Sequence, residues 1–191
     1  HDSFERIRFS LPSVIIDHKQ IYNSGSNFWS DKTLTGSSIN WNQNAACSIL
    51  NIIATSGSYA SRQSKRRAIY QPGRGMRADF TFLFGSTQLG VHKRIGLFDV
   101  DNGIFLEQTG SITNWVLRSK ESGDVQETRI PQSSWNIDKL DGGGISGKSL
   151  DLTKIQIGSL DYQWLGSGRV RTGFNIDGQH IHAHEFLHSN V

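Results

Sequence analysis

Apolar residues in this chain alternate with polar residues over short stretches that are separated by turn signals. In the stretch ADFTFLFG at 78–85, the side chains of Phe80, Phe82 and Phe84 fall on one face of an extended strand. No window keeps the i, i+3, i+4, i+7 spacing of an amphipathic helix beyond one turn. Twenty glycines supply many tight turns. The pattern therefore predicts an all-β fold, an antiparallel β-sandwich that is jelly-roll-like.

The sequence predicts two parts of different character. Residues 1–45 are irregular and indicate a loop-rich N-terminal arm, whereas ACSILNIIA at 46–54 predicts a buried strand that opens a β-sandwich domain over 46–191. Cys47 is the one cysteine, so no intrachain disulfide can form, and we interpret it as a buried small apolar residue. The chain begins with His1 rather than Met, which suggests a processed or trimmed product.

Three hairpins can be predicted from turn residues. Asn102-Gly103 lies between two apolar stretches, KESGD at 120–124 separates two alternating ones, and Asp177-Gly178 is a two-residue turn. With Asp177-Gly178 as the loop, the pairs predicted on the apolar face are Phe174 with Ile181 and Thr172 with Ala183. The pairs predicted on the polar face are Asn175 with His180, Gly173 with His182, and Arg171 with His184.

The stretch GGGISGKS at 142–149 fits the pattern of a phosphate-binding loop, G-x-x-x-x-G-K-[ST]. Such a loop follows a buried apolar strand and opens a helix, whose N-terminus and backbone N–H groups bind the anion. Here the preceding residues, SSWNIDKLD, are too polar for a central strand, and the following LDLTKIQIG predicts a strand rather than a helix. We therefore interpret the stretch as a turn and expect no nucleotide cofactor.

Positive charge is concentrated in the stretch RQSKRR at 62–67, in a chain whose net charge is +3. Arg62, Lys65, Arg66 and Arg67 are candidate interface residues because such a loop can contact an acidic neighbour, although it can also be simply solvated. A nucleic-acid site is disfavoured because the aromatic residues that stack on bases are missing from the stretch apart from Tyr70. No apolar run approaches the roughly 20 residues of a membrane span.

Three alternating histidines, His180, His182 and His184, are candidate metal ligands, since residues two apart on a strand project to the same side. The alternative is an exposed or interface histidine strip, and Arg171 opposite His184 disfavours a cation. Arg171 is itself a candidate interface residue. The stretch DVDNG at 99–103 hints at a calcium loop, but it lacks the glycine and glutamate spacing of an EF-hand.

Five tryptophans leave two interpretations open. Trp135 and Trp164 are candidates for a sugar-stacking platform, or they anchor the core or a subunit interface. A glycoside hydrolase would need two carboxylates about 5–10 Å apart. The acidic residues of the chain fall on different predicted elements, so spacing alone proposes no such pair.

A series of motifs recurs in order over about residues 56–191: RQ-S-K at 62–65, YQPG, RIGLFD, DNGIFLE, RSKESG, WNIDKLDGGGISGKSLDLTKIQI, DYQWLGSGRVRTGF and HEFLHSN. This series resembles a family of virion structural proteins of tailed bacteriophages and some large DNA viruses. The resemblance implies a particle component located in the virion and implies no catalytic activity, and no functional residue can be carried over from it.

The resemblance implies a non-enzymatic structural subunit of a virus particle, and the basic loop and the polar Arg/His face suit a subunit that acts through self-assembly. We expect a homo-oligomer, with a trimer favoured, that contacts other virion proteins through the 1–45 arm and the 62–77 basic loop. The alternative is a carbohydrate-binding or host-recognition module whose partner is a host-surface glycan. We predict no cofactor and no membrane partner.

Overall fold

A computed structural model describes residues 13–69, 74–163 and 168–187. The described chain is all-β and antiparallel, which confirms the predicted fold class, and one short 3-10 turn lies at Gln132–Ser134. Among the described residues, no helix is long and apolar enough to cross a membrane. The strands are β1 (Trp29–Leu34), β2 (Ser38–Asn42), β3 (Cys47–Asn51), β4 (Tyr59–Ser64), β5 (Met76–Phe82), β6 (His92–Phe98), β7 (Gly103–Thr109), β8 (Ile112–Ser119), β9 (Gln126–Pro131), β10 (Gln156–Tyr162), β11 (Arg169–Ile176) and β12 (Gln179–Leu187).

The chain divides into two compact units, His1–Gln71 and Pro72–Val191, here called unit 1 and unit 2. The predicted division at 45/46 falls instead inside unit 1. Strands β1 and β2 lie within the segment predicted as a loop-rich arm, and they pair with β4 and β3, which follow residue 45. Because strands pair across that position, the residues on either side of it belong to the same unit.

Unit 1 contains two separate two-stranded ladders, β1 with β4 and β2 with β3. Arg62 on β4 connects parts of the unit: its guanidinium donates to Ser48 Oγ and to the carbonyl oxygen of Ser24, and its Nε lies 3.5 Å from Asp31. The guanidinium also lies over the Trp29 ring, 5.5 Å from the ring centroid. A charged side chain therefore occupies the place that an apolar core residue would take.

No hydrophobic side chain among residues 13–69 is fully buried. The prediction that 46–54 forms a buried strand is wrong: β3 covers only part of it, and Ile49 and Leu50 are 41% and 46% exposed. Ile52 and Ile53, which follow the strand, are equally exposed. The four apolar side chains therefore lie at the surface, whereas Ser48 on β3 is half-buried against Arg62 and Gln20.

Unit 2 is a sandwich of two four-stranded sheets, one in the order β12-β11-β10-β5 and the other β6-β7-β8-β9. Consecutive strands are neighbours in both sheets, apart from β5, which pairs with β10. The sandwich is confirmed, and its jelly-roll detail is not, since a jelly roll contains two Greek keys. The buried core between the sheets consists of Phe82, Ile104, Leu106, Trp115, Trp135, Leu140, Leu152, Leu160, Val170, Phe174, Ala183 and Phe186.

Two of the predicted hairpin turns illustrate how local sequence sets the chain direction. Asp177 and Gly178 both have positive φ, 52° and 75°, as a type I′ turn requires, and β11 pairs with β12 across them. The hairpin predicted from Asn102-Gly103 also forms, but its loop is 99–102 and Gly103 opens β7. A Cβ at Gly103 would lie 2.3 Å from the Cα of Phe98, so only glycine fits there.

Candidate functional site

The glycine-rich stretch at 142–149 is a turn, as predicted. The carboxylate of Asp138 accepts the backbone N–H groups of Leu140 (2.8 Å) and Ser146 (2.7 Å). Strand β10 follows, where a phosphate loop would open a helix. A nearly buried carboxylate that already binds these N–H groups would repel phosphate, which agrees with the rejection of a nucleotide site.

Trp135 is a core residue, which confirms the core interpretation and contradicts its candidacy as an interface or ligand residue. It is 3% exposed, and its Nε1 donates to the carbonyl oxygen of Ile130 at 3.2 Å. Its ring centroid lies 6.1 Å from that of Phe174 and 6.4 Å from that of Trp115. The other candidate, Trp164, lies outside the described residues. Within the described sandwich, the tryptophans therefore offer no sugar-stacking surface.

The basic stretch contains residues of two kinds. The side chain of Arg62 is 6% exposed and bound within unit 1, so it is not available at the surface of this chain, contrary to the sequence prediction. Lys65 donates to the carbonyl oxygen of Ser26 at 2.7 Å and remains exposed. Arg66 and Arg67 are exposed. Lys65, Arg66 and Arg67 remain the candidate contact residues of this stretch.

A β-bulge changes the predicted register of the last hairpin. The first four pairs from the turn match the prediction, but the register then shifts by one residue at Ala183. Thr172 pairs with His184, and Arg171 pairs with Glu185. The predicted pairs Thr172 with Ala183 and Arg171 with His184 are therefore wrong, because the bulge inserts an extra residue on β12.

The bulge also separates the three histidines. His180 and His182 point outward, with ring centroids 4.5 Å apart. His184 turns inward, where it is nearly buried beside Phe186, and its Nδ1 accepts the backbone N–H of Asn136 at 3.3 Å. Nowhere in the described ranges do three His, Cys, Asp or Glu side chains gather as metal ligands. The three-histidine metal site is therefore not formed.

We expect the free energy of unfolding to fall as the pH drops below about 6.5. Burial lowers the pKa of His184, so the unfolded chain binds a proton at a pH where the folded chain does not. The contribution of His184 to the free energy of unfolding is complete above the ordinary histidine pKa. It is lost as the pH falls from that value to the lower pKa of the folded state. Each such group contributes a slope of at most about 1.4 kcal/mol per pH unit.

Urea unfolding between pH 5 and pH 8 measures this slope, with His184→Asn as the comparison. Asparagine keeps an acceptor for the N–H of Asn136 but does not titrate, so the slope should decrease. His180 and His182 also have lowered pKa values, mainly because of burial, and should supply the remaining slope. A slope that is the same in His184→Asn would show that this residue does not contribute.

The suggested calcium loop uses its carboxylates within the protein. Asp99 Oδ1 accepts the N–H groups of Asp101 (2.9 Å) and Asn102 (2.8 Å), as in an Asx turn. Asp101 pairs with Lys120 at 3.0 Å. These contacts explain the acidic residues of the stretch as elements that hold the hairpin loop.

An arginine–glutamate cluster covers the outer face of the second sheet. Glu107 is 1% exposed and accepts from Arg94 at 2.6 Å and from Arg129 at 3.1 Å. Glu127 accepts from Arg118 at 2.7 Å and also pairs with Arg129. Burial alone would raise the pKa of each glutamate, but the arginines hold both pKa values below the ordinary range. A glycosidase acid needs a raised pKa, so this pair does not support a hydrolase.

The outward face of the sheet β5-β10-β11-β12, here called the polar face, carries three rows of mainly polar side chains. Each row crosses the four strands from β5 to β12. The rows are Arg77, Asp161, Arg171 and Glu185; Asp79, Ser159, Gly173 and His182; and Thr81, Ile157, Asn175 and His180. The small residues Ser159 and Gly173 form the centre of this face. The sequence predicted two pairs of its β11–β12 half, Gly173 with His182 and Asn175 with His180, and only the sheet order could add β5 and β10.

Pairs within the polar face hold several of its side chains in place. Arg77 donates to both carboxylate oxygens of Asp79, at 2.9–3.2 Å, and Arg171 Nε donates to Asp161 at 3.2 Å. His180 Nδ1 lies 3.0 Å from Asn175 Oδ1. The pairs fix the positions of the charges, while the side chains of Arg77 and Asp79 remain about half exposed.

The sequence matches no protein-family model, and comparisons with curated proteins and with solved structures give no match.

Proposed function

We propose that this chain is a non-enzymatic structural subunit of a virus particle and that it acts by self-assembly. The observation that carries the proposal is unit 1, whose described residues combine exposed apolar strands with the absence of a buried apolar core. The motif resemblance over about 56–191 supports the location in a virion. The proposed location and the assembly role can be tested separately.

Two-stranded ladders are marginally stable in water because they bury too little apolar surface to offset the loss of chain entropy. Ile49, Leu50, Ile52 and Ile53 are four exposed apolar residues on and after β3, interrupted by Asn51. Burying one such side chain contributes about 1.5–3 kcal/mol. Contact between copies of unit 1 would bury apolar side chains that each copy alone leaves exposed.

A closed homo-oligomer, with a trimer favoured, suits this surface because closure buries the apolar stretch of every copy. Lys65, Arg66 and Arg67 lie close to this unit's last strand and provide a positively charged contact for an acidic neighbour in the particle. The partners proposed are therefore copies of this chain first and other virion proteins second.

We expect the full chain to form a closed oligomer in light scattering and Leu50→Asp to reduce its mass. Aspartate at this position would have to be desolvated in the contact, whereas it is tolerated in a free strand. Ile49→Asp tests the opposite face of the β2–β3 ladder, because neighbouring residues of a strand point to opposite sides.

Val100→Asp is the matched control for these variants. Val100 is 80% exposed in a hairpin loop of unit 2, so the same change should leave the mass unaltered. A wild-type chain that is monomeric at high concentration and absent from purified particles would contradict the proposal.

The carbohydrate-binding alternative has less support. It depended on exposed tryptophans, and Trp115 and Trp135 in the described sandwich are buried. Its remaining basis is the polar face, which offers hydrogen-bonding groups but has no tryptophan among its rows. Binding to a glycan array by the wild-type chain would favour this alternative.

A further inference from the structure

The first row of the polar face alternates in charge. Read from β5 to β12, it contains Arg77, Asp161, Arg171 and Glu185, which are positive, negative, positive and negative. Neighbouring strands lie about 4.8 Å apart, so the four charges are spread at regular intervals over about 14 Å. The row is antisymmetric about the line midway between β10 and β11.

A two-fold axis along that line reverses the row in a facing copy. Arg77 then faces Glu185 of the second copy, and Asp161 faces Arg171, so every charge meets its opposite. An isologous interface requires this kind of self-complementarity. We propose that the polar face pairs with the polar face of a second copy of this chain, about a two-fold axis that runs parallel to the strands.

The other two rows agree with the same axis. Asp79 faces His182 of the second copy, which places a carboxylate against an imidazole. Ser159 lies opposite Gly173 across this axis, and both are buried within the face, so neither opposes the contact. In the third row, Thr81 faces His180 and Ile157 faces Asn175. No row places like charges opposite each other.

The twist of the sheet does not prevent this pairing. Sheets twist with a fixed hand, and a two-fold axis parallel to the strands places two copies of the same twisted surface face to face at an even separation. Residues on β10 and β11 lie nearest the axis and are least affected by changes in the crossing angle. Asp161 and Arg171 are therefore the most informative pair, with side chains that are 20% and 27% exposed.

The size of the face predicts a weak contact. Four strands about 4.8 Å apart and seven residues long cover roughly 19 by 23 Å, or about 440 Å² in projection. A stable interface buries about 800 Å² on each partner. We therefore expect concentration-dependent association that is useful where many copies assemble and each contact is repeated. The inference is independent of the proposed contact through unit 1.

The test uses Arg171→Glu and Asp161→Arg in the full chain, alone and as an equimolar mixture. Each variant opposes like charges twice when it pairs with itself. The mixed pair instead places the introduced glutamate against the introduced arginine and leaves the native Asp161 against the native Arg171. Sedimentation velocity with one variant fluorescently labelled measures self-association and mixed association. We expect each variant to self-associate at least about tenfold more weakly than the wild type and the mixture to recover most of that loss.

Recovery in the mixture cannot come from improved folding, because the internal Arg171–Asp161 pair is broken in both chains. Added salt should weaken the wild-type and mixed pairs together, since their charges are near the surface. If unit 1 forms an oligomer, the polar-face contact appears as further association of that oligomer, which each variant weakens and the mixture restores, so failure of either contact can be recognised. The inference would be overturned if the mixture associated no more strongly than the separate variants. It would also be overturned if the wild-type chain bound a glycan and both variants lost that binding without any recovery in the mixture.

Discussion

Replacing Trp135 by alanine is expected to lower the free energy of unfolding by about 3–5 kcal/mol. The indole is buried between Phe174 and Trp115, and its removal would leave a cavity that the two sheets cannot close without losing their own packing. The loss also leaves the carbonyl oxygen of Ile130 without the indole donor. Chemical denaturation monitored by circular dichroism measures the effect.

Two comparisons distinguish a core role from an assembly role for Trp135. Trp135→Phe keeps most of the apolar volume and should lose clearly less stability than the alanine variant. Below its unfolding temperature, Trp135→Ala should also retain the oligomer mass of the wild type, because the residue does not reach the surface. A stable alanine variant with a reduced mass would contradict the structure and restore the interface interpretation.

Asp138→Ala is expected to lower the free energy of unfolding by about 2–4 kcal/mol, because Asp138 makes two charge-assisted hydrogen bonds to the N–H groups of Leu140 and Ser146. Its side chain is 4% exposed, so water cannot replace these bonds. Leu140 is fully buried with φ at +52°, a conformation that costs energy in a non-glycine residue and persists only because its surroundings hold it. Without the carboxylate, the backbone of Leu140 would lose the hydrogen bond that stabilises this conformation. Urea unfolding of the variant and the wild type measures the difference.

Asp141→Ala is the matched control, since the exposed Asp141 makes one bond, to the N–H of Gly143, in the same loop. Its effect should stay below about 1 kcal/mol. Burial alone would raise the pKa of Asp138, but the hydrogen bonds from Ser146 and Leu140 hold it below the ordinary value. The stability it contributes is therefore present above about pH 4 and is lost at lower pH. If the two variants lost equal free energies of unfolding, the buried hydrogen bonds of Asp138 would stabilise the fold no more than the exposed hydrogen bond of Asp141.

Local patterns predicted much of unit 2 correctly. The alternation of Phe80, Phe82 and Phe84 placed these side chains on the core side of the first sheet, and the Asp177-Gly178 turn set the register of the first four pairs of its hairpin. These features depend on the period of a strand and on positive φ at turn residues, which are properties of a few consecutive residues.

The same reasoning failed where partners come from distant parts of the sequence. Nothing in the order of residues around Arg62 indicated that Ser24, Asp31 and Ser48 would surround it, so a structural arginine was interpreted as a surface one. The sequence left Trp135 open between a sugar-stacking platform, the core and a subunit interface, because its burial depends on both sheets.

The sequence by itself determined the class of fold, the positions of the hairpins and the turn at 142–149, because strand periodicity and turn conformation are local. Only the tertiary structure decided which side chains share a surface. The bulge at Ala183 turned His184 into the core and placed Glu185 beside Arg171, and the pairing of β10 with β5 and β11 completed the alternating charges of the polar face. Bulges and strand order minimise the free energy of the whole sandwich, and the residues that stabilise them lie far apart in the chain.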